Sequence, residues 1–168
     1  MRSAVSDPKL TRIEVHKDYL KFSAAHFTLF SASARENLHG HDFRVRCTVT
    51  AAVGEDGLAF DYGILKQALA ALCAELDERV LLPLHSPYLR VEVEDGWVSA
   101  HFAAERIPFL ARDVLLLPVR NVTAEELAGL LLERLQARPE ISALKLQSIA
   151  LGVSSGRGQW AFAHWGIT

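Results

Sequence analysis

From Phe43 to Thr50 apolar and polar side chains alternate without a break. Phe43, Val45, Cys47 and Val49 fall on one face of an extended chain, and Arg44, Arg46, Thr48 and Thr50 on the other. A period of two specifies a strand with one face in a core. Upstream, after a frayed start, residues 11–27 mix alternation with β-branched and aromatic side chains. They predict a strand, or a two-part strand, paired antiparallel with the first through residues 28–37. Beyond a turn the period changes. Ile64, Leu65, Ala68, Leu69 and Leu72 recur at helical spacing and predict a helix over residues 62–76 with one buried face. Thr123 followed three residues later by Glu126 forms a capping box ahead of a second amphipathic run, which predicts a helix over residues 124–137. Between the helices, "YLRVEVEDGWVSAHF" reads as a hairpin turning at Asp95 and Gly96. "ERIPFLARDVLLLP" is expected to continue that small sheet. The chain closes on a last hairpin around "GRG". The order is two strands, helix, inserted hairpin, helix, two strands. This is an α+β arrangement, a four-stranded antiparallel sheet with two helices on one face.

The 168 residues, half of them apolar, are enough for one domain with a full core, so residues 1–168 are read as a single unit. A net charge of −2 gives no basic excess of the kind a polyanion partner requires, so no nucleic-acid partner is expected. No run approaches the length of a membrane span, and the first ten residues lack the apolar middle of a signal peptide. The expected setting is cytoplasmic, with no membrane partner. Cys47 lies on the apolar face of its strand and Cys73 within the first helix; both read as small core residues.

The candidate chemistry is in "ENLHGHDF". Residues two apart on a strand share a face, so His39 and His41 present two imidazoles side by side. His26, near the end of the preceding strand, can add a third if the strands pair. Three imidazoles without a fourth protein ligand are the donor set of a catalytic zinc with an open position. The competing reading is two or three unconnected surface or core histidines. His16, His85, His101 and His164 carry no ligand spacing.

"FSAAH", "LHGH" leading into the alternating strand, "GLAFDYGILK", "LDERVL" and "TAEELA" before a helix occur in that order from Val15 to Phe162. In content and succession they resemble the 6-pyruvoyltetrahydropterin synthase and 6-carboxytetrahydropterin synthase family. The resemblance implies the tunnelling fold, in which sheets of several subunits join edge to edge. It further implies a homo-oligomer, expected as a hexamer, Zn2+ held by His26, His39 and His41, and a small pterin substrate.

Three departures from the family pattern shape the expected chemistry. "SARENLHGH" lacks the cysteine that those synthases carry before the histidine pair. Glu36 stands three residues ahead of His39, as in a subgroup where glutamate replaces the thiol and the side chain of dihydroneopterin triphosphate is cleaved to leave 6-hydroxymethyldihydropterin. Glu36 otherwise reads as a solvated loop charge. In "LDERVL" Asp77 is kept, but Glu78 replaces a relay histidine, which leaves both as secondary catalytic candidates. The glutamate that anchors the pterin ring falls on Gly152 or Ser154, neither of which can form a bidentate pair. Thr123, Glu125 and Ser154 are therefore the candidate substrate-binding residues. The leading expectation is a zinc-dependent lyase of pterin metabolism with Glu36 as its proton-transfer group. The alternatives are a 6-pyruvoyl- or 6-carboxytetrahydropterin synthase-like activity, a non-catalytic pterin- or partner-binding paralogue, and a metal-dependent enzyme acting on a sugar-like polyol.

Overall fold

Extended chain and helix alternate as the pattern requires in the computed structural model, which describes residues 9–166. The start that the sequence reads as frayed lies outside the described residues. Two long strands, β1 (Leu10–His26) and β2 (His39–Ala52), pair antiparallel. Helix α1 (Tyr62–Leu76) follows, and then β3 (Arg79–Pro83). The inserted segment gives β4 (Leu89–Glu94), β5 (Trp97–Phe102) and β6 (Glu105–Leu110), and β7 (Val114–Leu117) follows. Helix α2 (Ala124–Gln136) and a single-turn α3 (Pro139–Ser142) lead into β8 (Ser148–Ser154) and β9 (Ala161–Gly166).

The class is α+β, as expected, and the four antiparallel strands stand together as β1-β2-β8-β9 within the order β7-β3-β1-β2-β8-β9. Among the described residues the sheet has six strands rather than four, because β3 joins β1 in parallel and β7 joins β3 in parallel. Both additions are continuous apolar runs, Val80 to Leu82 and Val114 to Leu117, with no alternation to mark them as strands. The reading of residues 105–118 as one extension therefore divides. "ERIPFL" is β6 of the small sheet, and "VLLL" is β7 of the large one. The hairpin is thus part of a three-stranded sheet, β4-β5-β6, whose turn places Asp95 at φ 49° and Gly96 at φ 81°, the pair of left-handed residues a tight hairpin requires.

One core lies between the large sheet and the helices. Phe22, Phe43, Val45, Cys47, Val49, Leu151 and Val153 from the sheet meet Leu65, Leu69, Leu72 and Leu76 of α1 and Leu127, Leu131 and Leu135 of α2. Asp61 caps α1 by accepting the Gly63 N–H at 2.7 Å. Thr123 caps α2 by accepting the Glu126 N–H. The Glu126 carboxylate does not complete the capping box. It turns to Arg120 instead, accepting its N–H at 2.9 Å and its guanidinium at 2.7 Å, and this pairing holds Glu126 below the usual carboxylate range. A second core, under the inserted sheet, joins Phe27 and Leu29 to Leu89, Val98, Ala100 and Phe102.

Leu69 is fully buried at the centre of the helix-on-sheet contact, whereas Leu58 is 64% exposed. Leu69→Ala is expected to lower the unfolding free energy by roughly 2–5 kcal/mol, the cost of a core cavity. Leu58→Ala should change it by less than about 0.5 kcal/mol. Urea or guanidinium denaturation of the two variants checks the contrast.

Candidate metal centre and substrate cavity

The site is built where the apolar face of β1 and β2 runs out. Leu20, Phe22 and Ala24 point into the core, and His26 is the next residue in that row. On β2 the row read backwards is Val45, Phe43, His41, His39. The register sets His26 opposite His39 and Ala24 opposite His41, so the three imidazoles converge at one end of the sheet. One nitrogen from each lies within 4.8 Å of the others.

Two of the rings are oriented by backbone carbonyls. His26 Nδ1–H donates to the Val122 carbonyl at 2.9 Å, and His39 Nδ1–H donates to the Asn37 carbonyl at 2.8 Å. Only a protonated nitrogen can serve a carbonyl, so in each ring Nε2 is left with its lone pair facing the cluster. His26 Nε2 is buried and has no hydrogen-bond partner among the described residues. His39 Nε2 and His41 Nε2 are 2.9 Å apart, a separation at which two nitrogens must share a proton or a cation. Burial holds His26 below the ordinary imidazole range, against the Val122 carbonyl and with the help of its two histidine neighbours. Converging imidazole nitrogens are what a divalent metal of borderline softness binds, so the donor set fits one.

Glu36 lies beside this cluster. Its carboxylate accepts the Thr28 N–H at 2.9 Å and stands 3.9 Å from His39 Nε2. Burial pushes its pKa up, but the hydrogen bonds from Thr28 and the neighbouring imidazoles of His39 and His26 outweigh burial and hold it below the usual carboxylate value. Asn121 fixes the loop from the other side. Its amide accepts the Leu29 N–H at 3.1 Å and donates to the Leu29 carbonyl at 2.8 Å, while its oxygen also accepts the Val122 N–H. The segment that orients His26 therefore also holds the loop bearing Glu36.

Histidines and Glu36 open into a cavity of about 620 Å3, whose walls include Thr28, Phe43, Thr123, Glu125, Ser155, Gln159 and Trp160. That is room for a small heterocycle with a side chain. Glu36, Thr123 and Glu125 thus share one cavity with His26, His39 and His41. Ser154 does not line it. Its hydroxyl is fully buried and bonds to Gly156 in the turn after β8, and the next residue, Ser155, provides the wall. Gly152 is covered by Phe162, whose ring would lie 2.6 Å from a Cβ at that position. Asp77 and Glu78 lie elsewhere. Asp77 accepts the Ser23 N–H at 2.7 Å, and Glu78, at φ 55°, lines a second, open cleft with Ser23, Asp42 and Asp113. His41 borders both spaces. Sequence reasoning missed Thr28, Asn121, Val122, Ser155, Gln159 and Trp160. For Ser155 and Gln159 a signal existed: both flank the last hairpin turn at the end of the sheet where the histidines converge.

Three imidazoles that converge at the mouth of a cavity could hold a metal ion with a coordination position left open toward that space. The chain belongs to the 6-pyruvoyl tetrahydropterin synthase family, whose family model matches residues 14–163. A Methanocaldococcus jannaschii protein described as "Putative 6-carboxy-5,6,7,8-tetrahydropterin synthase" is 26% identical over 144 residues, covering 84% of this chain and 88% of the relative. The 6-pyruvoyl tetrahydropterin synthase of Plasmodium vivax superposes with a TM-score of 0.88 at 25% identity, over 95% of this chain and 99% of its own. That of Plasmodium falciparum does so with 0.87 at 27%, over 94% and 99%. Structures of the P. vivax enzyme also exist with a glutamate, described as a catalytic residue, changed to alanine or to cysteine.

Neither cysteine is placed to act. Burial pushes the Cys47 thiol up to about 12, and burial together with the Asp77 carboxylate does the same for Cys73. The nucleophilic form is the thiolate. Both cysteines should therefore resist iodoacetamide in the folded protein at pH 8 and react fully once it is denatured, as intact mass will show. Rapid alkylation of Cys47 in the native state would contradict this burial.

Proposed function

We propose that the protein is a zinc-dependent lyase of pterin metabolism that cleaves the side chain of a 7,8-dihydroneopterin, as its triphosphate, to 6-hydroxymethyldihydropterin. The single observation that carries the reading is the Glu36 carboxylate, held by Thr28 at 3.9 Å from His39 Nε2 in the cavity where the imidazoles converge. The use of a glutamate as a catalytic residue in the P. vivax enzyme supports it.

His26, His39 and His41 would hold the zinc. When bound, it supplies Lewis acidity that makes a substrate hydroxyl easier to deprotonate. The chain's own residues do the rest. Glu36, a carboxylate in the resting site, takes the proton of the side-chain hydroxyl. The oxygen lone pair becomes a carbonyl, the adjacent carbon–carbon bond breaks, and its electrons pass to the carbon attached to the ring system. Glu36 then returns its proton to that carbon. Phe43, in edge contact with His26 and His41, keeps the floor of the site apolar. Thr123 and Glu125 at the start of α2, with Ser155 and Gln159, offer the polar groups for the heterocycle. Ser154 supports them through the turn it closes. Asp77 and Glu78 are secondary candidates: Glu78 would act from the adjoining cleft across His41, and Asp77 would support that cleft through its bond to the Ser23 N–H.

A second reading is a binding subunit without turnover. It is favoured by the loss of the anchor, with Gly152 beneath Phe162 and Ser154 committed to a turn. A third, 6-carboxytetrahydropterin synthesis, is favoured by the description of the M. jannaschii relative. The buried thiols weigh against it.

Titration should give one zinc per chain in the wild type and in Glu36→Gln, and at least about tenfold weaker binding in His39→Ala. With dihydroneopterin triphosphate, the wild type should release 6-hydroxymethyldihydropterin, and Glu36→Gln should do so about a hundredfold or more slowly. Zinc uptake without product from the triphosphate or its dephosphorylated form would reject the lyase and leave the binding subunit. We also infer a homo-oligomer, expected as a hexamer, since β9 and β7 end the sheet with edges that no strand of the described residues pairs. A monomer in sedimentation at micromolar concentration would refute it.

A further inference from the structure

The loop that carries Glu36 leaves β1 after His26 and returns to β2 at His39. Among the described residues its internal backbone pairing is slight: a bridge between Leu29 and Arg35, the Glu36 N–H donated to the Thr28 carbonyl, and two N–H groups shared on the Ala34 carbonyl. Its apolar residues Phe27 and Leu29 leave the main core and enter the second core, with Leu89, Val98, Ala100 and Phe102 of the inserted sheet. Arg35 completes the contact. Its guanidinium lies 5.2 Å from the Phe27 ring centre and 5.7 Å from that of Phe102. Through Nε and Nη2 it donates to one carboxylate oxygen of Glu105, the first residue of β6, at 2.9 and 2.6 Å. Through Nη1 it donates to the Glu36 carbonyl at 2.8 Å. All three guanidinium nitrogens therefore tie the peptide of Glu36 to the inserted sheet. A fixed fork of donors suits this task in a way a lysine ammonium does not.

We propose that Arg35 and Glu105 are positioning residues for Glu36, and that the inserted sheet β4-β5-β6 is the clamp that holds its carboxylate beside the imidazole cluster. The proposal deepens the reading of Glu36 as the proton-transfer group and rests on it. Arg35 is largely covered, but Glu105 is more than half exposed, so water can take the place of its carboxylate and its removal costs folding little. A reacting group displaced by about an ångström can lose on the order of a hundredfold in rate. The pair should therefore act on turnover far more than on stability.

The test uses the zinc-loaded full chain with Glu105→Gln, Glu105→Asp, Arg35→Lys and, as control, Glu92→Gln. The control breaks the 2.9 Å pair with His101 on the same inserted sheet, away from the loop. Glu105→Gln and Arg35→Lys should lower kcat about tenfold or more with KM and zinc content unchanged. Glu105→Asp should recover part of the loss, and Glu92→Gln should match the wild type. A second readout is independent of turnover. The Thr28 amide, bonded to the Glu36 carboxylate, should exchange its hydrogen several-fold faster in the first two variants and normally in the control. Wild-type kcat in both Arg35→Lys and Glu105→Gln would overturn the proposal, as would an unchanged Thr28 amide. If the wild type itself turns over no pterin, the proposed reaction fails instead, and the Thr28 amide alone decides whether the clamp exists.

Discussion

The pairing of β1 with β2 is the constraint on which the site depends, and an irregularity within that pairing makes it work. From Leu10 to His16 the inward residues of β1 are Ile13 and Val15, an odd-numbered row. Between the paired residues His16 and Lys21, four β1 residues stand against the single Val45 of β2. The excess of three is odd, so the row that faces the core changes parity. Beyond the irregularity Leu20, Phe22, Ala24 and His26 point inward. Without that change Ala25 would face the core, and His26 would stand on the opposite side of the sheet from His39 and His41. The bulging residues Lys17, Asp18 and Tyr19 are exposed, where their unpaired backbone meets water.

Two of the three rings at the polar end of this row are oriented by backbone rather than by other side chains. His26 and His39 each spend one nitrogen on a carbonyl, and Glu36 takes the Thr28 N–H. Peptide groups cannot titrate away or swing out, so they fix tautomer and direction more firmly than a carboxylate partner would. Asn121 extends the same logic. Lying between β7 and α2, it binds both backbone groups of Leu29 while its neighbour Val122 holds His26. The start of α2, the loop bearing Glu36 and the end of β1 are joined there into one polar unit above an apolar floor.

Much of this was legible in the chain. Alternation through Phe43, Val45, Cys47 and Val49 fixes the face that His39 and His41 share, and the capped runs of α1 and α2 lie where their periodicity puts them. What escaped reading has a physical cause in each case. The strands β3 and β7 are apolar on both faces, so no period distinguishes them from other buried segments. Asn121 reaches a residue 92 positions away, and a lone asparagine ahead of a helix gives no hint of such a partner. The capping box predicted the Thr123 bond correctly, but the competition from Arg120 for Glu126 is a matter of three-dimensional neighbourhood. The parity change in β1 could be seen only as a mixed pattern, and its consequence for His26 follows only from the register.

The lack of a carboxylate at Gly152 and Ser154, where the resemblance would put the pterin anchor, has a physical explanation in the register of β8 with its neighbours. Gly152 lies opposite Arg46 on β2 and opposite Phe162 on β9, on the sheet face away from the helices. With no side chain at Gly152, the Phe162 ring lies over β8 and meets the Arg46 guanidinium at 4.7 Å, next to Trp160 at 4.3 Å from the same group. A carboxylate at Gly152 would have to displace that ring. At Ser154, a longer acidic side chain would lose the bond to Gly156 that closes the turn. Position 152 is thus given to packing and position 154 to turn closure. Polar side chains at the rim of the cavity lie instead one residue further along, at Ser155, and at Gln159 and Glu125. Under the proposed function, recognition of the heterocycle therefore passes from one bidentate carboxylate to several weaker groups. A larger share of binding must then come from the end of the substrate that meets the imidazoles.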